Sequence, residues 1–328
     1  MRIVMMGTGP FAVPTFQALL SGRHEVTCLF TQPLRPVRGK RSVPATPMRD
    51  VAIEHDLPIF DPVSINTDAA RGVLSKQQAE LLVVCDYGQI LSRETLALAR
   101  HGGINLHGSI LPKYRGAAPV NWAIYYGDTE TGVTVIHMTP KLDGGPCLKI
   151  VRTPIGRHET AVELEQRLAQ MGVPAVLQAI EMLESHDPDA LVGEPQDSSQ
   201  ASRAPRLAKC DADVDWNHTA QEIYNQFRAF QPWPGCYTHL ARKEKPPLRL
   251  ILTKISPEEE PATSPPGTIA VAEGDRLLLA ARAGQIRVEK LQPAGKKVMT
   301  AAEFVRGYQP AVGDRLLTET EVSSSPST

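Results

Sequence analysis

The chain has 328 residues, 42% hydrophobic and 22% charged, with a formal net charge of -1. That length suits two domains with ample core, and the near-neutral balance excludes a chain coated in basic residues for nucleic acid. Five scattered cysteines, an odd number with no Cys-x-x-Cys pair, exclude a disulfide framework and a zinc ribbon.

The charge is nevertheless uneven. Between residues 200 and 315, seventeen Lys and Arg face thirteen Asp and Glu, a net of about +4 that leaves the rest acidic. Such asymmetry is compatible with a polyanionic partner on the second part of the chain. The N-terminus opens directly on a strand-like run, and no stretch of roughly 18 apolar residues occurs, so the expectation is a cytoplasmic protein with no membrane partner.

In chain order, residues 3–6, 26–30, 81–85 and 104–106 read as buried strands. Helix patterns lie between them, at residues 14–20 with Pro in the first turn and at 48–56. Alternating strands and helices imply an α/β unit with a mostly parallel sheet. Residues 133–138 read as a further strand, and 160–183 as a long amphipathic helix interrupted near Gly172-Val173-Pro174. Residues 185–205 are rich in Ser, Gln, Asp and Pro, and read as a linker. Beyond it, 219–230 reads as one helix. Short strands at 248–255, 267–272, 276–281 and 285–291 then suggest a small β-barrel. The Ser-rich end after Thr318 reads as disordered. The expected bounds are 1–188 for the first domain, 189–208 for the linker, 209–318 for the second domain and 319–328 for the tail.

Residues 102–122 hold the densest chemistry. A strand delivers Asn105 and His107 to the same side, since strand side chains repeat every two residues. Ligands bind at the carboxyl ends of such strands. A carboxamide beside an imidazole suits transfer of an acyl-type group to an amine. The amide donates to a developing oxyanion and the imidazole handles a proton near neutral pH. A carboxylate is the missing third part, and Asp143 after the next strand is the best placed. No activated Ser or Cys nucleophile is present, which favours direct transfer.

Asn105-Leu-His-Gly-Ser-Ile-Leu-Pro-Lys-Tyr-Arg-Gly116 resembles the signature of folate-dependent formyltransferases. The resemblance implies Asn105, His107 and Asp143 as catalytic residues and 10-formyltetrahydrofolate as co-substrate, with no metal. It also implies a Rossmann-like formyltransferase domain with a mostly parallel sheet. By the same resemblance Ser109, Ile110, Leu111 and Pro112 form a folate-contacting loop. Tyr87, Gly88, Gln89, Ile90 and Leu91 would hold the pterin with backbone groups.

Residues 223–235 and 291–307 are similar to the start and end of the C-terminal domain found in the branch of that family acting on initiator methionyl-tRNA. That domain resembles an OB-like barrel. Lys296 and Lys297 in it, and Arg38, Lys40 and Arg41 in the basic acid-free loop 32–48, are the implied tRNA contacts. The resemblance also implies a monomer.

The alternatives are a formyltransferase on an amino sugar, a formyl-folate hydrolase, and a tRNA-binding protein on an inactive scaffold. A fourth is a nicotinamide oxidoreductase, because Gly7-Thr-Gly-Pro-Phe-Ala12 fits the dinucleotide fingerprint. No acidic residue follows the second strand, and formyltransferases commonly have Gly-Thr-Pro-Glu-Phe-Ala here, so Gly9 reads as a local variant. Other departures are Cys85 and Asp86, where small or apolar residues are usual, Ser92 in place of Pro, and Gly144-Gly145-Pro146 after Asp143.

Overall fold

The computed structural model describes residues 1–34, 46–187, 192–242, 245–258, 260–261 and 263–324. These fall into two compact units. The first comprises 1–120, 129–156 and 162–206, and the second 121–128, 157–161 and the residues from Leu207 onward.

The first unit is a seven-stranded sheet among the described residues, flanked by helices. Its strands are β1 (Arg2–Gly7), β2 (Glu25–Phe30), β3 (Ile59–Phe60), β4 (Leu81–Cys85), β5 (Gly103–His107), β7 (Glu130–His137) and β8 (Cys147–Pro154). Their order is β3-β2-β1-β4-β5-β7-β8. The first five run parallel, whereas β7 and β8 are antiparallel to their neighbours. Short strands β6 (Arg115–Gly116) and β9 (Arg203–Ala204) pair with each other apart from the main sheet. Runs such as Leu81–Cys85 are buried throughout, as a parallel sheet covered on both faces requires. The chain fills one side of β1 with β2 and β3, then crosses to the other side with β4. The β1/β4 junction is therefore the topological switch point, where a crevice opens at the strand ends.

The connecting helices are α1 (Val13–Leu20), α2 (Pro47–Glu54), α3 (Asp68–Ser75) and α4 (Arg93–Leu96). Thr67 and Ser92 cap α3 and α4 with side-chain oxygens. Helix α5 spans Pro119–Tyr125. Helix α6 (Ala161–Glu184) runs unbroken through Pro174, against the expected interruption. Its apolar stripe of Leu164, Leu168, Ala175, Val176, Ala179, Ile180 and Leu183 is buried, and that burial outweighs one missing backbone hydrogen bond. Gly172 within it lies over Leu106 of β5, where a Cβ would come 2.5 Å from Leu106 Cδ2.

Strand β8 and the first strand of the second unit, β10 (Cys236–Arg242), were not anticipated. The segment read as a linker carries β9, and the described part of the expected tail, residues 319–324, forms helix α9 (Glu319–Ser324). There the Thr318 hydroxyl accepts from the Glu321 N–H, while the Glu321 carboxylate accepts from the Thr318 N–H, a reciprocal cap that starts a helix.

The second unit is a curled antiparallel sheet of β12 (Ile269–Glu273), β13 (Arg276–Ala280), β14 (Gln285–Pro293), β11 (Lys245–Glu258), β10 and β16 (Leu316–Leu317), in that order. β15 (Met299–Thr300) pairs with β14. The two ends of the path meet at a Thr268–Arg315 bridge, supported by Ile269 N–H to Asp314 O at 2.9 Å. Helices α7 (Ala220–Phe230) and α8 (Ala301–Tyr308) each start with a Thr-x-x-Glu capping box. Ile223, Phe304, Leu252, Ile286, Val288 and Trp216 are among the residues that fill the core. Phe230 packs edge-on to Trp122 and stacks on Tyr125 within this unit.

Candidate active site

β5 ends at the crevice edge of the sheet and carries Asn105 and His107. Asn105 sits beside Val84 of β4 and Ile136 of β7 in the pairing register, so its position is fixed from both sides. The structure brings Asp143 to both of them. Asn105 Nδ2 donates to Asp143 Oδ1 at 3.4 Å, and His107 Nδ1 lies 3.8 Å from Asp143 Oδ2. The His107 and Asp143 side chains are only 6% and 10% exposed, so charge between them is weakly screened.

The imidazole orientation follows from its second nitrogen. His107 Nε2 is 2.9 Å from the Tyr114 carbonyl, which can only accept, so Nε2 carries the hydrogen. In the neutral ring Nδ1 then holds the lone pair that faces Asp143. A carbonyl partner selecting the tautomer is a common way to prepare a base.

Asp143 is held by parts that sequence reading did not single out. Its Oδ2 accepts from the Gly116 N–H at 2.9 Å. Gly116 has φ +131°, and a Cβ there would come 2.4 Å from the Ala204 carbonyl, so the β6–β9 pairing demands glycine. Gln196 donates from Nε2 to the carbonyls of Asp143 (2.8 Å) and Gly145 (2.7 Å), and Arg115 donates to its Oε1. Asp143 itself has φ +45°. A Cβ on Gly145 would meet the His137 carbonyl at 1.8 Å, which accounts for one of the two glycines that depart from the family pattern. Gln196 lies in a stretch without periodicity, and no local signal marks it.

The Ser109–Pro112 loop is pinned by Thr134. Leu111 N–H donates to the Thr134 hydroxyl at 3.1 Å, and that hydroxyl donates to Ser109 O at 2.7 Å. Ser109 Oγ donates to Lys113 O, and the Leu111–Pro112 peptide is cis. Ile110 is half-buried.

After β4, Tyr87 is buried, which pushes its phenol up, and its carbonyl accepts from Gln32 Nε2 and the Thr8 hydroxyl. Gly88 has φ +78°. Gln89 bridges Ile65 N–H and Pro62 O, and Asn66 Nδ2 donates to Ile90 O. Leu91 is buried, whereas Ile90 is 59% exposed. Ser92, in place of Pro, supplies the N–H that Asn66 Oδ1 accepts at 2.9 Å. A rigid row of backbone groups with one exposed apolar side chain results.

Asp86 stands at the switch point. The Gly9 N–H donates to its carboxylate, and a Cβ on Gly9 would lie 1.8 Å from its Oδ2. The second glycine of the fingerprint is thus accounted for by Asp86. A carboxylate in that place opposes a pyrophosphate.

Lys296 and Lys297 are exposed on the turn between β14 and β15. Arg38, Lys40 and Arg41 lie outside the described residues. No described helix is long and apolar enough to cross a membrane.

The formyl transferase family matches residues 1–180, and the formyl transferase C-terminal domain matches residues 206–309. Methionyl-tRNA formyltransferase of Rhodopirellula baltica is 46% identical over 97% of both chains. That of Geobacter sulfurreducens is 38% identical over 96% of both. Among solved structures, the sugar 3N-formyl transferase WlaRD, in the presence of dTDP and 5-N-formyl-THF, matches with a TM-score of 0.63 at 16% identity. It covers 90% of this chain and 99% of that one. HypX from Aquifex aeolicus in complex with tetrahydrofolic acid matches with a TM-score of 0.61 at 18% identity, over 94% of this chain and 48% of that one. These two show the fold alone. With both its domains matched and such relatives along nearly its full length, the chain belongs to the methionyl-tRNA formyltransferases of the formyl transferase family.

Proposed function

We propose that this protein transfers the formyl group of 10-formyltetrahydrofolate to the α-amino group of methionyl initiator tRNA, in the cytoplasm and as a monomer. The observation that carries the reading is the convergence of Asn105, His107 and Asp143 at the crevice edge, in a chain of this family. The pinned backbone from Tyr87 to Leu91 and the Thr134-tied loop Ser109–Pro112 fit a flat heterocycle that needs fixed donors and acceptors.

The folate supplies an activated formyl carbon and a leaving nitrogen. Asn105 Nδ2 donates to the formyl oxygen as that oxygen gains charge. His107 Nδ1 accepts a proton from the attacking amine, since Tyr114 holds the hydrogen on Nε2. Asp143, anchored by Gly116, orients Asn105 and stabilises the imidazolium. Holding amine and formyl carbon together turns a bimolecular step into a local one. Lys296 and Lys297 contribute to tRNA phosphate binding, with Arg38, Lys40 and Arg41 as further contacts.

The test is formyl transfer from 10-formyltetrahydrofolate to charged initiator tRNA, with charged elongator methionine tRNA as control. Rapid formylation of the initiator alone is expected. Transfer to a nucleotide-linked amino sugar, or bare hydrolysis of the folate, with neither tRNA formylated, would overturn the reading.

A further inference from the structure

Asp86 has no part in the chemistry assigned above, yet it stands at the switch point where the crevice opens. It follows β4 at the switch point, and its carbonyl accepts from Thr8 N–H at 3.0 Å, which ties the ends of β1 and β4 together. It lies two residues beyond Val84, as His107 lies two beyond Asn105, and Val84 and Asn105 are register partners. Asp86 thus follows β4 directly, beside β5, the strand that carries Asn105 and His107.

Two departures from the family pattern meet here. Proline at position 9 would remove the N–H that Asp86 accepts and place atoms 1.8 Å from its Oδ2. Glycine at 9 and aspartate at 86 are thus one structural change. Its outcome is a carboxylate in place of an apolar surface.

The neighbours of Asp86 in the chain, Val84, Cys85 and Tyr87, are buried, while Asp86 itself reaches solvent. Crowding by protein pushes its carboxyl up to about 6, against the pull of the Gly9 N–H and of Arg206. Glu165, in the first turns of α6, is raised by burial and by Asp86 in turn. The Cys85 thiol is held neutral by burial. The groups facing Asp86 are therefore Gly9 N–H, Arg206, Glu165 and Cys85, with His107 one strand away.

Resting on the proposed reaction, we propose that Asp86 is an acceptor-binding residue that pairs with the α-ammonium of the incoming aminoacyl ester and takes its first proton. An α-amine titrates at roughly 8, so at neutral pH it arrives mostly as a cation that cannot attack. A carboxylate that ionises within about two units of it binds that cation and accepts its proton at a tolerable equilibrium cost. One N–H bond breaks and one O–H bond forms on Asp86. The neutral amine then forms the C–N bond to the formyl carbon. Its second proton passes by His107 to the departing folate nitrogen. Asp86 returns its proton to water as the uncharged formamide leaves.

The experiment is steady-state formylation of charged initiator tRNA by the full-length Asp86→Asn variant from pH 6 to 9, with folate binding and melting temperature measured alongside. The expected result is a KM for the charged tRNA raised about tenfold at pH 6.5, closing toward wild type by pH 9, with folate affinity unchanged. The Gly9→Pro/Asp86→Ala double variant, which restores apolar packing, should fold and show the same pH-dependent loss even if Asp86→Asn does not fold. A wild-type KM and pH profile in either folded variant would overturn the proposal, as would lost folate affinity with an unchanged tRNA KM. Because the wild-type enzyme is assayed in parallel, its failure to formylate the tRNA would sink the reaction itself, whereas an active wild type with pH-insensitive variants sinks only the role of Asp86.

Discussion

Each catalytic side chain is positioned by a hydrogen-bond partner that the fold supplies. Asn105 Nδ2 carries two hydrogens, one directed at Asp143 and one left for the formyl oxygen, and removal of one such donor from a developing oxyanion typically costs about two to three decades of rate. Asn105→Ala should lower kcat by about 10²–10³-fold with folate affinity kept, which single-turnover kinetics beside a folate titration would separate. Gly116 shows how a residue without a side chain takes part. Gly116→Ala would press a methyl against the Ala204 carbonyl and displace the N–H that anchors Asp143. It should cut kcat by about tenfold or more and lower the melting temperature, and unchanged values of both would refute the anchoring role.

At the scale of elements, the site depends on how firmly β5 is clamped. β4 and β7 fix its register, and α6 presses its Gly172 directly on Leu106, between the two catalytic residues of the strand. Gly172→Ala places a Cβ 2.5 Å from the side chain of Leu106, which is buried and must shift to admit it. A loss of about 1–3 kcal/mol is expected in denaturant unfolding, with a parallel drop in turnover because the strand carries Asn105 and His107. Burial of its apolar stripe explains why α6 continues past Pro174. A helix with one face buried along its length tolerates a missing hydrogen bond that would end an exposed one.

For the whole molecule, charge sets two expectations. Asp86, with its carboxyl pushed up to about 6, and Glu165, also raised, bind protons more readily folded than unfolded. Between about pH 4 and 6 the folded state therefore keeps protons the unfolded chain has released, and stability falls as pH rises through that window. Solvent at Asp86 screens the effect to the order of 1 kcal/mol. Asp86→Asn should melt higher than wild type at pH 7 and equal to it at pH 4. A scan of melting temperature against pH distinguishes this from a uniform shift. In the second unit, Lys296 and Lys297 project on the β14–β15 turn. Replacing both with Glu should raise the KM for charged tRNA about tenfold at low salt and flatten its salt dependence, leaving folate affinity untouched.

Much of this was legible in the sequence because it is local. Apolar runs of four or five residues declare buried parallel strands, and Asn105-x-His107 declares two side chains on one side of a strand. What tertiary structure alone decided is non-local. Strands β8 and β10 carry mixed sequences with no long apolar run, and only their pairing with β7 and β11 marks them. The carboxylate anchor depends on Gly116 meeting Ala204, and on Gln196 reaching back about fifty residues to Asp143. The departures at Gly9 and Asp86 looked unrelated until the sheet placed β1 beside β4. Periodicity encodes which face of an element is buried. It does not encode which distant backbone group will stand within hydrogen-bond reach, because that is set by the packing of whole elements and only then by the residues on them.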